Sequence, residues 1–130
     1  MRYETDFELE AIAKDIVKTL NLNHISIEDI ACIKSYGSKT RRTIARCHAL
    51  GKVMQKALKR RAFYVLEFLS EKFDKQSTEN KIRTIIHELL HIPHSFGGGF
   101  KHHDYVTEKT VELFFQEYLK RKNESQTKLQ

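Results

Sequence analysis

The histidine-rich segment from residue 87 to residue 103 holds the side chains best suited to chemistry. Five of the seven histidines lie there, and the first two enclose a glutamate in His87-Glu88-Leu89-Leu90-His91. Residues four apart share one face of a helix, so His87 and His91 can bind one zinc ion at about 2.0–2.1 Å. Glu88 can then act as the base that activates water. This spacing predicts a zinc-dependent hydrolytic site.

A third zinc ligand is expected after the predicted helix, because catalytic zinc sites generally use three protein ligands and keep one position open. Pro93 ends the helix, and the glycines at 97–99 allow the sharp reversal that returns the chain to the ion. His102 and His103 follow directly. The residue pattern leaves both of them as candidates for the third ligand.

Three neighbouring residues are assigned supporting roles. Tyr105 is a candidate donor to the transition state, as is the histidine of the 102–103 pair that does not bind metal. Asp104 is expected to cap the last helix or to orient a ligand through its second ring nitrogen. His94, which follows a proline, is interpreted as a loop residue that contacts substrate or supports a ligand.

Hydrophobic periodicity predicts three substantial helices that would position these residues. The first covers residues 6–20 and begins with a capping box formed by Thr5 and Glu8. Ser77 is expected to cap the second helix, whose apolar stripe consists of Ile82, Ile85, Ile86, Leu89 and Leu90. This stripe lies roughly opposite His91, so the histidines are expected to face a cleft. The last helix covers about residues 105–121.

Short apolar segments predict the strands. Residues 30–35 and 43–50 flank a turn at 36–39 and are interpreted as a β-hairpin. The aromatic and β-branched run at 63–69 predicts a buried strand, and residues 51–58 have weak helical character. Helices around about three strands, without a regular βαβ alternation, predict the α+β class.

The residues from Ile85 to Pro93, followed by Gly98-Gly99-Phe100 and His103, resemble a metallopeptidase family of archaea, their viruses and phages. That family combines a His-Glu-Leu-x-His-Ile-Pro helix with a glycine-containing loop and a downstream histidine, and it is similar in ligand order to SprT-like proteases. The resemblance extends over about residues 40–118. It implies a minimal zincin-like domain that binds one zinc ion and acts on peptides. The implied ligands are His87, His91 and His103, and the implied base is Glu88.

A basic block between Asp29 and Glu67 supports an alternative function. The segment 30–66 contains no acidic residue, in a chain whose net charge is +6. Such a block could meet nucleic acid or an acidic substrate surface. The candidate contacts to nucleic acid are Arg41, Arg42, Arg60 and Arg61, and the aromatic residues available for stacking are Tyr36, Phe63 and Tyr64.

The alternative is therefore a nucleic-acid-binding protein with a structural or vestigial zinc site, which could also act on proteins bound to DNA. Structural zinc sites usually close with four ligands and favour cysteine, whereas Cys32 and Cys47 are distant from the histidines in sequence. Glu88 also has no purpose in a structural site. A third reading is an inactive relative that keeps the metal site and acts through binding alone.

Length and composition predict one domain over residues 1–122 and a polar, frayed tail over 123–130. No run of apolar residues is long enough to span a bilayer, and the first residues lack the apolar core of a secretory signal. We therefore expect a cytoplasmic protein that does not enter a membrane. The two cysteines are expected to be free thiols.

Overall fold

A mixed sheet with helices packed on one face makes up the part of the chain that is described. The computed structural model describes residues 1–101 and 105–129. Its elements, in chain order, are β1 (Arg2–Thr5), α1 (Phe7–Thr19), β2 (Ile30–Tyr36), β3 (Ala45–Ala49), α2 (Lys52–Leu58), β4 (Tyr64–Leu69), α3 (Ser70–Phe73), α4 (Thr78–Leu90) and α5 (Glu108–Leu129). The α+β class predicted from the sequence is confirmed.

The predicted hairpin between residues 30–35 and 43–50 is wrong, because β4 lies between β2 and β3. The strand order is β1-β2-β4-β3, with β2 parallel to β4 and β3 antiparallel to it. The chain after β2 is held by the carboxylate of Glu71, which accepts hydrogen bonds from the backbone N–H groups of Gly37 and Ser38, each at 3.0 Å. These bonds replace the tight turn that a hairpin requires.

The sheet has a fourth strand that the sequence analysis did not predict. β1 pairs antiparallel with β2, and all four of its residues are exposed. It therefore lacks the apolar alternation by which a half-buried strand is recognised. β4, in contrast, is almost continuously apolar and buried, which suits its central position.

The core lies between the sheet and helices α1, α4 and α5. Tyr64, Leu66 and Phe68 alternate along β4 and are fully buried against this helical layer. Ile85 and Leu89 of α4 are each 1% exposed within the same cluster. The stripe predicted for the second helix therefore faces the sheet, and this fixes how α4 presents its remaining residues.

Helix ends differ from the predictions in two places. Asp6, and not the Thr5–Glu8 pair, caps α1, because its side chain accepts a hydrogen bond from Leu9 N at 3.0 Å. α5 continues to Leu129, beyond the end predicted at about 121, so the polar residues after 122 are helical up to that point. The predicted cap of α4 is confirmed, since Ser77 Oγ accepts from Asn80 N at 3.1 Å.

None of the helices in residues 1–101 and 105–129 combines the length and the apolar composition that crossing a bilayer requires. Both cysteines are free thiols, as expected, with Cys32 buried and Cys47 half-buried.

Replacing the cap of α1 should destabilise the protein. We expect Asp6→Ala to lower the free energy of unfolding by about 1 kcal/mol, because it leaves an N–H group of the first turn without its partner. Thr5→Ala is the matched control and should change it by less than about 0.5 kcal/mol, since Thr5 is exposed. Urea unfolding followed by circular dichroism measures both. Equal losses for the two variants would contradict this assignment of the cap.

Candidate metal centre and active-site cleft

The two histidines at the end of α4 direct ring nitrogens at one point. His87 lies in the last turn of α4, and His91 is the residue that caps its end. Their Nε2 atoms are 3.3 Å apart. Two nitrogens bound to one tetrahedral zinc ion at about 2.0–2.1 Å would be separated by about 3.3 Å. The pair therefore fits two ligands of a zinc ion.

The ring of His91 is held by the chain that returns after α4. Its Nδ1 atom lies 3.0 Å from the carbonyl oxygen of Lys101, and Lys101 N donates to the carbonyl oxygen of His91 at 2.8 Å. A carbonyl oxygen can only accept, so Nδ1 is the donor in this bond and Nε2 is the ring nitrogen that remains to bind a metal ion. A hydrogen bond of this kind orients the ligand and sets its tautomer in metal sites.

Glu88 is buried beside the two imidazoles. It is 6% exposed, and its Oε2 lies 4.0 Å from His87 Nε2. Burial raises the pKa of Glu88 to about 7, because a carboxylate loses its hydration there. A carboxyl group with such a pKa can accept and release a proton near neutral pH.

Two cavities meet at His87 and Glu88, beside the edge strand β3. The larger has a volume of about 760 Å³ and extends between β3, α4 and the start of α5. The smaller, of about 490 Å³, contains His91 and is lined by residues of β3 and of the loop before α5. Ala45, at the start of β3, lines both. A substrate chain that passed over Glu88 would therefore find a cavity on each side of this residue.

Among residues 1–101 and 105–129, only β4 pairs with β3, so the outer backbone edge of β3 is unpaired along these cavities. Leu69 N donates to Ile44 O and Leu50 N donates to Phe63 O, so alternate residues from 44 to 50 bond to β4. In an antiparallel pair, the residues between them direct N–H and C=O groups away from the partner strand. Those residues are Ala45, Cys47 and Ala49. The first two lie next to His87 and Glu88 in the smaller cavity.

The hydroxyl group of Tyr64 holds the glycine loop at residues 97–99. It accepts a hydrogen bond from Gly98 N at 2.9 Å and donates to Gly99 O at 2.9 Å. Gln55 of α2 donates to Gly97 O at 3.1 Å and to Leu50 O at 2.7 Å. These bonds fix the loop that leads to Lys101, and hence the partner of the His91 ring.

Gly98 is required by this loop geometry. Its φ is +107°, and a β-carbon there would lie 2.9 Å from Leu50 O and 2.7 Å from Gln55 Nε2. From the sequence, Tyr64 is predicted only as a strand and stacking residue, and its contact with the loop is not predicted. A tyrosine inside an otherwise apolar strand is a signal for such a role, because a buried hydroxyl group needs partners.

The third predicted ligand lies outside the described residues. His102, His103 and Asp104 all fall between the ranges 1–101 and 105–129. Within those ranges, no group of three or more histidine, cysteine, aspartate or glutamate side chains could hold a metal ion. At the start of α5, Thr107 Oγ1 accepts a hydrogen bond from Thr110 N at 3.2 Å.

The other predicted supporting residues have partners of their own. His94 lies against His24, with ring centroids 4.3 Å apart. The ring of Tyr105 lies beneath the ammonium group of Lys101, at 3.8 Å. Neither residue lines the cavities beside Glu88.

The four arginines of the basic block separate into two pairs. Arg60 Nη2 lies 2.8 Å from Asp29 Oδ1, and Arg61 Nε lies 2.5 Å from Asp29 Oδ2, so both are engaged with a buried carboxylate. Arg41 and Arg42 lie in the exposed loop before β3, and Arg42 lines the larger cavity.

Two converging imidazoles, a buried carboxyl group beside them and an unpaired strand edge are typical of metal-dependent hydrolases that act on polypeptides. The family model described as "Putative phage metallopeptidase" matches residues 1–122. The chain belongs to this family, and metallopeptidase is therefore the class of activity that its membership indicates. The comparisons with curated proteins and with solved structures gave no match.

Removing the hydroxyl group of Tyr64 should weaken metal binding. We expect Tyr64→Phe to lower zinc affinity about tenfold, because the glycine loop would no longer hold Lys101 against His91. Competition with a chromophoric chelator measures the affinity. Tyr118→Phe is the matched control: it removes a hydroxyl group that donates to Asp15 at 2.6 Å, in a part of the core away from the histidines. A loss of the same size in both variants would contradict a specific role for Tyr64.

Proposed function

We propose that this protein is a zinc-dependent peptidase in which His87 and His91 bind the ion and Glu88 is the general base. The observation that carries this proposal is the 3.3 Å separation of the two Nε2 atoms, which fits a shared tetrahedral ion. We assign the third ligand to His103, with His102 as the alternative. Membership of a metallopeptidase family supports a metal-dependent peptidase activity.

The zinc ion would supply a Lewis acid that makes a water molecule and a peptide carbonyl group more reactive. Glu88 takes a proton from the attacking water and delivers it to the nitrogen of the leaving amine. Its raised pKa suits both transfers, because the same carboxyl group must hold and release a proton at neutral pH. His91 keeps its ring fixed through Lys101 O while this happens.

The unpaired edge of β3 supports a polypeptide as the substrate. An extended chain can add to a strand edge through backbone hydrogen bonds, whatever its side chains. Antiparallel addition would place the substrate's carboxyl side near the start of β3, where the larger cavity lies. Its amino side would lie near Ala49 and α2. The peptide bond to be cleaved would then lie beside the carboxyl group of Glu88.

Glutamine at position 88 should separate catalysis from metal binding. We expect Glu88→Gln to keep one zinc ion per chain and to lose at least about a hundredfold in kcat, because the proton acceptor is gone. His87→Ala should lose the zinc as well. Metal analysis of protein purified without chelators, together with cleavage of unfolded protein substrates, measures both. Full cleavage by Glu88→Gln would exclude its role as base, and a zinc-containing but inactive wild type would favour a binding protein.

The third ligand can be identified by comparing two adjacent substitutions. His103→Ala should lower zinc affinity by at least about a hundredfold, whereas His102→Ala should change it much less. Chelator competition and Co²⁺ absorption spectra give the affinity and the number of ligands. The opposite order of losses would move the assignment to His102, and unchanged affinity in both variants would show that neither residue is a ligand.

A further inference from the structure

We propose that the site selects extended polypeptide segments with acidic residues on both sides of the bond to be cleaved. This inference rests on the proposed peptidase function and names its substrate class. It comes from the cations at the two ends of β3, from the charges inside the larger cavity, and from the surroundings of the aromatic residues in the basic block.

Cations without ion pairs flank β3 at both ends. Three precede the strand and three follow it, and they are Lys39, Arg41, Arg42, Lys52, Lys56 and Lys59. Within the described parts of the chain, none of the six takes part in an ion pair. A strand of this length spans about 17 Å, so a substrate paired along it would reach both groups.

Arg42 lies at the end of the larger cavity that would receive the substrate's carboxyl side. Inside it, Arg83 and Glu112 form an ion pair at 2.8 Å. Glu108 and Lys109 are adjacent residues of opposite charge at the start of α5. The remaining charged residues of the lining are Arg42, which precedes β3, and Glu88, beside His87. Arg42 takes part in no ion pair among the described residues, so it is available to attract an acidic side chain at this end.

Cations also lie beside and beyond the rest of β3. Lys101 lines the smaller cavity together with Arg46, whose Nη1 lies 4.0 Å from Glu67 Oε1, and Glu88 is the acidic group among the lining residues. The side chain of Lys52 lies beside the glycine loop, with Nζ 3.4 Å from the position of a β-carbon at Gly97. An acidic residue on the substrate's amino side would therefore meet cations from α2 and from the loop.

The aromatic residues of the basic block favour a polypeptide over nucleic acid. Arg2 lies over the ring of Tyr36 at 4.3 Å, and Arg60 lies over the ring of Phe63 at 4.8 Å. Tyr64 is fully buried. Binding of single-stranded nucleic acid relies on accessible aromatic rings on which bases stack. A strand edge with free backbone groups instead matches an extended polypeptide.

Three synthetic peptides with one central sequence test the proposal. Their flanks carry glutamate, glutamine or lysine, and zinc-loaded wild type is assayed with each at 50 mM and 300 mM salt. We expect kcat/KM to be about tenfold higher for the glutamate flanks than for the glutamine flanks at low salt, and the ratio to shrink at high salt. Binding of labelled peptides to zinc-loaded Glu88→Gln should follow the same order, which gives a readout independent of turnover.

Matched variants locate the effect. The double variant Arg42→Gln/Lys52→Gln should lose most of the preference for glutamate, so that its kcat/KM values for the glutamate and glutamine peptides become nearly equal. The control variant Lys18→Gln removes a positive charge from α1 and should keep the preference for the glutamate peptide. Circular dichroism and zinc content confirm that each variant is folded and loaded.

Other results would distinguish a failure of the acidic selectivity from a failure of the peptidase function. Equal cleavage and equal binding of all three peptides would overturn the acidic selectivity and leave the peptidase function intact. A wild type that neither cleaves nor binds any peptide would overturn both proposals. A competing oligodeoxynucleotide tests the choice of polypeptide over nucleic acid. That choice would be overturned if the oligodeoxynucleotide displaced the glutamate peptide, bound far more tightly than the peptide, and lost its binding when Arg42 was replaced.

Discussion

The closure of the chain onto the end of α4 is the interaction on which the rest of the site depends. His91 and Lys101 exchange two hydrogen bonds, one through the backbone and one through the imidazole ring. The ten-residue separation between them would otherwise allow the ring to take many orientations. Because the second bond uses Nδ1, it leaves Nε2 directed towards His87. A loop contact thus sets the chemistry of a helix residue.

β4 stabilises the contact between His91 and Lys101 by holding the loop that carries Lys101. Its alternate residues fill the core against α4, and the first of them, Tyr64, uses its hydroxyl group to hold the glycine loop. The same strand places β3 at the sheet edge by pairing with it on one side and with β2 on the other. One central strand therefore positions the helix, the returning loop and the edge that borders the cavities.

Local signals in the sequence were sufficient to predict the three long helices α1, α4 and α5, the fold class and the pair of histidines. Periodicity identified α1 and α4 because each buries one continuous stripe. Strand pairing was not predictable in the same way. Residues 30–35 and 43–50 look like neighbours in sequence, but their separation by β4 is a long-range arrangement that no local pattern encodes. β1 was missed because its residues are all exposed.

Residue spacing predicts only the part of the site that lies within one helix. The i, i+4 geometry of a helix brings His87 and His91 together without any tertiary information. The raised pKa of Glu88 depends on burial, and the roles of Tyr64 and Gln55 depend on where a distant loop packs. Likewise, Arg60 and Arg61 appear in sequence as free cations, but the fold places Asp29 between them.

The bond from Gln55 to Gly97 has a consequence for how recognition and chemistry are linked. α2 carries lysines at the surface and is joined through Gln55 to the loop that orients His91. A partner that restrained α2 would also restrain this loop and would lower the entropy lost on binding a metal ion. Thermodynamic reciprocity would then require the ion to strengthen binding at α2 by the same factor. Occupancy of one position would in that case favour occupancy of the other without any change of fold.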